Sequence, residues 1–346
     1  MATEVIRVVD PDSGSGYHYD SLSDWEADLG DTTTGNLPAD NEIAVAKCRC
    51  TGGTADTTGV VIDGWTTSAT QYIKIWTDPA ESYRHDGSYP SGNIYRIYRD
   101  ASYLIQIAEQ YTHLEGIAVK MSAGSAGYFT GIFCGGPETA GAYSKIISCV
   151  IDGNGVGIGT GIGLANYMAI INTFVNNFTG YGIAREDSTG PFAYNCTVRN
   201  CGTGFRGHSS ATFTVKNCLA VDNTTDFYSV FSASSSNNAS EDSSAPGSSA
   251  RTTVATNFES SGSCIFAASG NADVIGYGVN LYNDATYAFQ TDILGTDRGG
   301  SGASWDIGAD EFVPLVTQEG FRFRNDDGDE DGATWKAAEN VDIYVQ

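Results

Sequence analysis

Ile147-Ser-Cys-Val-Ile-Asp152, Ile171-Asn-Thr-Phe-Val-Asn176, Tyr194-Asn-Cys-Thr-Val-Arg199 and Val215-Lys-Asn-Cys-Leu-Ala-Val-Asp222 read as one motif written four times. Their third positions are Cys149, Thr173 and Cys196, with Cys218 one residue late, as a β-bulge would allow; the spacings are 24, 23 and 22 residues. A second short apolar stretch follows each copy. It is centred on Gly157-Ile158, Gly182-Ile183, Gly204-Phe205 and Asp226-Phe227, spaced by 25, 22 and 22 residues. Between the two stretches lie corners rich in Asn and Gly: Asp152-Gly-Asn-Gly155, Asn176-Asn-Phe-Thr-Gly180, Arg199-Asn-Cys-Gly202 and Asp222-Asn-Thr-Thr225. Asn and Gly tolerate the left-handed backbone that a sharp strand-to-strand corner needs.

A period of this length marks a solenoid. Short strands with no helix between them make it an all-β, right-handed parallel β-helix of 22–25 residues per coil, in which like residues stack from coil to coil. The register implied by the motif turns Ile147, Ile171, Val198 and Phe205 into the core. Asn172, Asn195 and Asn217 are expected to form a polar ladder, each amide bonding the next. Upstream, Tyr72–Thr77, Tyr103–Ile107, His113–Val119 and Tyr128–Phe133 read as strands, whereas the Ser/Asn/Ala-rich stretch Ser232–Ser249 reads as a surface loop. Ser21-Leu-Ser-Asp-Trp-Glu-Ala27 has an N-cap serine and an acidic first turn. Leu22, Trp25 and Leu29 share one face, so a short helix is expected to close one end of the stack. The organisation read from these signals is an N-terminal cap over 1–42, the β-helix over 43–312 and a C-terminal β arm over 313–346.

Composition agrees with a β solenoid. Of 346 residues only 17% are charged, Gly reaches 42, and the hydrophobic share of 41% suffices for a core. The net charge of −24 opposes binding to a nucleic-acid backbone. No stretch has the roughly 18 consecutive apolar residues of a membrane helix. The start, Met1-Ala-Thr-Glu-Val-Ile-Arg7, has neither the basic nor the apolar region of a secretion signal, so synthesis in a host cytoplasm is the expectation. The eight cysteines are expected to be buried free thiols, because Cys149, Cys196 and Cys218 fall at equivalent places in successive coils.

Few residues suggest chemistry. A β-helix that cleaves glycans needs a base with a charge neutraliser, or two carboxylates roughly 5–9.5 Å apart. His18, His85, His113 and His208 sit in no catalytic motif, and Arg84-His85-Asp86 reads as a solvated loop. Asp152, Glu186, Asp187 and Asp222 could line one flank, yet each also fits a corner residue bonding its own backbone. No catalytic residue and no cofactor is assigned. Asp327-Gly-Asp-Glu-Asp-Gly332 matches the first half of a calcium loop, so Asp327, Asp329 and Asp331 are candidate calcium ligands. Beyond Phe312 the repeat stops. Phe321-Arg-Phe-Arg324 and Val341-Asp-Ile-Tyr-Val345 alternate as half-buried strands around Trp335. Phe321, Phe323, Trp335, Val341, Ile343 and Val345 are therefore candidate partner-binding residues.

Two motifs carry a resemblance. Asp292-Ile-Leu-Gly-Thr-Asp-Arg298 followed by Trp305-Asp-Ile-Gly-Ala-Asp-Glu-Phe312 resembles the D-x-x-G-x-x-R and D-I-G-A-x-E closing segment of many right-handed β-helix proteins. Tyr19-Asp-Ser-Leu-Ser-Asp-Trp-Glu-Ala27 resembles the opening of β-helix proteins seen in tailed phages and environmental viral sequence. Together they span most of 1–312. The resemblance implies a virion structural protein: a capsid decoration protein, fibre or tail appendage that docks on the major capsid protein or another virion protein. It would be a homo-oligomer, a trimer among the options, with a glycan as a further possible partner. The alternative on the same scaffold is a carbohydrate-active enzyme, a polysaccharide lyase or glycoside hydrolase. Asp306 and Glu311 lie close enough in sequence to Arg298 for an ion pair that locks the last coil.

Overall fold

The computed structural model describes residues 2–100, 102–122, 128–136, 144–155, 158–165, 167–186, 190–210 and 212–313. Residues 1–312 form one compact unit. Their described residues build three parallel sheets of eight, eight and seven strands, wound as a right-handed β-helix. One coil shows the pattern: Met168–Ile171 lies in the first sheet, Phe174–Asn176 in the second and Tyr181–Arg185 in the third. Each pairs in parallel with its counterpart one coil on, at Phe192–Tyr194, Thr197–Arg199 and Thr203–Arg206. The strand Thr3–Val9 already belongs to the first sheet, paired with Glu42–Cys48.

From the coil of Thr112–Glu115 onward, each first-to-second-sheet corner is made by a residue with left-handed backbone. Gly116, Ser148, Asn172, Asn195, Asn217, Asn237 and Ser249 all have φ between 48° and 69°. The ladder of backbone bonds continues through these corners, from Ser148 N–H to the Ile171 carbonyl at 2.9 Å and from Asn195 N–H to that of Lys216 at 2.9 Å. The stretch His113–Val119 is accordingly two strands, Thr112–Glu115 and Ala118–Met121, turned at Gly116. Ser232–Ser249 is not a loop either. Asn237 and Ser249 continue the corner column, Ala239–Ser240 pairs with Leu219–Val221, and Arg251–Thr252 pairs with Ala239–Ser240. Two shortened coils stand there, with Ser235 and Asn238 buried. Small polar residues hid them because a coil this narrow has little interior to fill.

The inward register differs from expectation in the first sheet. Ile146, Ile170, Ala193 and Val215 form the inner column. Ile147 and Ile171 face outward and stack in register with Tyr194 and Lys216. Lys216 thus occupies the place read for Val215, and no bulge is needed to set Cys218 after Asn217. In the third sheet Ile162, rather than Ile158, stacks on Ile183, followed by Phe205 and Phe227. The sequence Gly157-Ile-Gly-Thr-Gly-Ile162 contains the Gly-Ile pair twice, and the nearer pair was the wrong one. Val198 and Phe205 do face the core.

The third sheet bends inward at Gly131, Gly161, Gly182 and Gly204. A Cβ at Gly182 would stand 2.7 Å from the Gly204 carbonyl oxygen and 2.2 Å from Val198 Cγ1. No side chain fits where coil meets coil at that separation. All eight cysteines are buried, and none is in a disulfide.

At one end, the helix Leu22–Ala27 is capped by Ser21, whose side chain accepts from Asp24 N–H at 3.0 Å. It buries Leu22 and stacks Trp25 on Trp65 with ring centroids 5.5 Å apart.

Phe205 is fully buried and stacked on Phe227 with centroids 4.9 Å apart. Phe205→Ala is expected to lower unfolding free energy by about 3–5 kcal/mol. Val61→Ala, on the outer face at 47% exposure, should stay within about 0.5 kcal/mol of the parent. Urea denaturation of the two variants checks the inward register.

Candidate functional site

After Thr252 the chain leaves the solenoid and runs along its outside as an irregular strap, 254–312. In the later coils of the first two sheets large apolar residues face outward, and the strap covers them. Ile171, Phe192 and Tyr194 pack with Leu281 and Trp305. Ala118, Val150 and Phe174 pack with Cys264, Ile293 and Ala309. Leu219, Val221 and Ala239 pack with Val254, Phe266, Val274 and Ile307.

The corner asparagines hold this strap. Asn172 Nδ2 donates to the Thr291 carbonyl at 2.6 Å. Asn195 Nδ2 donates to the carbonyls of Asp306 and Gly308 at 3.0 and 3.2 Å. Asn217 exchanges bonds with Val279, donating to its carbonyl at 2.8 Å and accepting from its N–H at 2.8 Å. The expected amide-to-amide ladder is therefore partial. Asn217 Nδ2 does donate to Asn195 Oδ1 at 3.0 Å, but Asn172 spends its amide on the strap.

Arg298 locks the last turn. Its guanidinium, 2% exposed, pairs with Glu311 at 2.8 Å and donates to the carbonyls of Gly308 and Ala309 and to Asn172 Oδ1. Asp306 makes no ion pair with it. Its carboxylate accepts instead from Gly276 N–H and Phe312 N–H, at 2.7 and 2.8 Å. Burial pushes Glu311 up to about 7 and Asp310 up to about 6, and it lowers the Arg298 pKa.

Several of the other candidates are spent on structure. Asp152 accepts from Asn154 N–H at 2.7 Å, the corner bond expected of it, and pairs with Lys120 at 3.0 Å. Asp222 pairs with Arg199 at 2.7 Å. Glu186 is exposed, and Asp187 lies outside the described residues. Arg84-His85-Asp86 is not a solvated loop at its centre. His85 is 4% exposed, accepts from Gly87 N–H through Nδ1 at 3.2 Å and meets the Ser148 carbonyl through Nε2 at 2.7 Å. That geometry makes Nε2 the protonated nitrogen. Desolvation and neighbouring Arg84 hold the His85 pKa down to about 4. His113 is held down to about 3, chiefly by desolvation, and stacks on Tyr72 with centroids 4.4 Å apart. Asp226, in reciprocal backbone bonds with Asp242, is pushed up to about 6 by burial.

Among the described residues no three His, Cys, Asp or Glu side chains gather as a metal would require. Among the described residues, two depressions bear on the question. One, of about 440 Å³, runs along the second corner past Asn177, Thr179, Asn200 and Asp222. The other, of about 190 Å³, lies beside Asp86 and Tyr89. Neither brings an acid and a base together. The outer face of the third sheet lies outside the three apolar clusters that the strap makes, and exposes Tyr103 and Tyr228. The calcium candidates Asp327, Asp329 and Asp331, and the partner candidates Phe321, Phe323, Trp335, Val341, Ile343 and Val345, lie outside the described residues.

No family model matches the chain, and no curated protein matches it by sequence. Among solved structures it is similar to the crystal structure of pectate lyase Pel9A, with a TM-score of 0.35 and 14% identity, over 90% of this chain and 97% of that one.

The strap anchors were missed in sequence because nothing local marks Asn172 or Asn217 as bonding residues about 60 to 120 positions away. The conspicuous Asn column is the available signal, and by itself it points to a self-bonded ladder.

His85 supplies a pH test. Its folded pKa lies below its unfolded value of about 6.5, so its contribution is fully present at neutral pH and is lost as pH falls from 6.5 towards 4. Asp226, Asp310 and Glu311 are raised and act oppositely, gaining stability as pH falls below about 7, but they are common to parent and variant. His85→Gln should therefore be destabilising at pH 7. Its deficit should shrink by about 2 kcal/mol at pH 5, measured by urea denaturation at the two pH values.

Proposed function

We propose that this chain is a non-enzymatic structural component of a tailed-phage particle, a decoration protein, fibre or tail appendage that docks through residues 313–346. One observation carries the reading: Asp152, Asp222 and His85, which a β-helix could turn to catalysis, are committed to holding its own chain. Asp152 and Asp222 are paired with Lys120 and Arg199, His85 is buried against Ser148, and the outer faces of two sheets lie, in their later coils, under the strap. A stack built in this way is an acidic scaffold whose work is to be positioned. The opening motif around Trp25 supports the viral assignment. The alternating segments Phe321–Arg324 and Val341–Val345 supply apolar side chains suited to strand addition on a sister subunit or a capsid protein.

The test is quantitative composition of purified particles, with the complete chain and with a chain ending at Val313. The complete chain is expected in fixed ratio to the major capsid protein. The shortened chain should melt at the same temperature yet be missing from particles. Absence of the complete chain from particles, together with release of reducing ends or unsaturated sugars from a polysaccharide panel, would replace this reading with a glycan-cleaving enzyme.

A further inference from the structure

In its earlier coils the outward face of the first sheet carries charge. Lys74, His113 and Lys145 stand in register on three successive coils, with about 4.8 Å between rungs. Their neighbours Ile75, Leu114 and Ile146 belong to the core, so these three side chains face outward. Lys74 Nζ lies 3.6 Å from Glu115 and 3.8 Å from the centre of the Trp76 ring. The His113 ring stacks on Tyr72, and Lys145 Nζ lies 5.2 Å from the centre of the Tyr287 ring, at the margin of the strap.

Lys145 differs from the other lysines. Lys47 pairs with Asp78 and Glu81, Lys120 with Asp152 and Lys216 with Asp284, all at 3.0 Å or less. Among the described residues Lys145 has no carboxylate within ion-pair distance, although it is half-buried and burial lowers its pKa. Glu115 cannot serve it, because that acid is already divided between Lys74 and Arg84, at 3.6 and 4.0 Å. His113 is the second unfinished group. Desolvation, with Lys145 and Lys74 beside it, holds the ring neutral, and among the described residues neither ring nitrogen makes a hydrogen bond. A neutral imidazole keeps one N–H to donate. An ammonium and an N–H donor thus stand on adjacent rungs, and taking such groups out of water costs free energy until an acceptor meets them.

We infer that Lys145 and His113 form a binding site for the carboxylate of a small organic acid. One carboxylate oxygen accepts from Lys145 Nζ and the other from the His113 N–H, a charge-assisted pair that the adjacent rungs set side by side. The ligand's charge follows from the site: one ammonium without a counter-ion matches one negative charge, and a phosphate dianion would require a second cation that Glu115 already occupies. Its size follows from the rest of the chain, whose net charge of −24 repels an extended polyanion. The rings of Tyr72 and Tyr287 flank the pair and offer apolar contact to the carbon body of the acid.

Proton–carbon spectra of the complete chain with ring-labelled histidine test it. Acetate is added at pH 7.5 and constant ionic strength, with chloride as the balancing salt, and inorganic phosphate is added in a parallel series. Acetate is expected to shift the His113 resonances saturably and to leave those of His18 and His208 in place. Lys145→Gln should lose the shift, and Lys145→Arg should keep it. Removing an unpaired, half-buried charge is not expected to lower the melting temperature. If Lys145→Gln nevertheless folds poorly, Lys145→Met, which keeps an apolar stem beside Tyr287, is read in its place. Absence of a saturable His113 shift overturns the inference, as does a shift of equal size in the parent and in Lys145→Gln. A shift produced by phosphate and not by acetate overturns the assignment to a carboxylate.

Discussion

The left-handed corner between the first and second sheets is the constraint on which the rest of the molecule depends. At Ser148, Asn172, Asn195, Asn217 and Asn237 the backbone must turn sharply enough to start a new sheet while its N–H still bonds the coil beyond. A β-branched side chain would be strained there, and a glycine would lack a side chain. Asn meets both demands, because its amide tolerates the conformation and projects outward in a column. That outward column is what gives the strap something to bind.

The fold was legible because corners and periodicity are local. The side on which a strand turns its residues was less so. Ile146-Ile147 and Ile170-Ile171 put two large apolar residues side by side, and alternation cannot choose between them when both faces are buried. The expectation chose the outer residue of each pair. In Thr197-Val198-Arg199 and Thr203-Gly-Phe205-Arg206 a polar or charged neighbour marks the outside, and there the register was right. Two adjacent isoleucines in a short strand were themselves the sign that something covers the exterior.

The candidate site divides in the same way. Asp152 could be read as a corner residue because its partner, Asn154 N–H, is two positions away. His85 could not, because its partner, the Ser148 carbonyl, is 63 residues away and enters only through coiling. The ion pair of Arg298 with Glu311 was legible at a separation of 13 residues, whereas the bonds from Arg298 to Asn172 and from Asn195 to Gly308 span more than 100.

The strap also explains acids that charge repulsion alone would disfavour. It has almost no ladder partners, so its backbone N–H groups must find acceptors among side chains. Asp292 accepts from Leu294, Thr296 and Glu311. Asp306 serves Gly276 and Phe312, Asp310 serves Phe266, and Glu311 serves Asp306. Four carboxylates gather around one arginine because each caps a turn of irregular chain, and Arg298 keeps their mutual repulsion tolerable. A cluster that looks catalytic in composition is thereby the hydrogen-bond accounting of a segment that gave up its sheet.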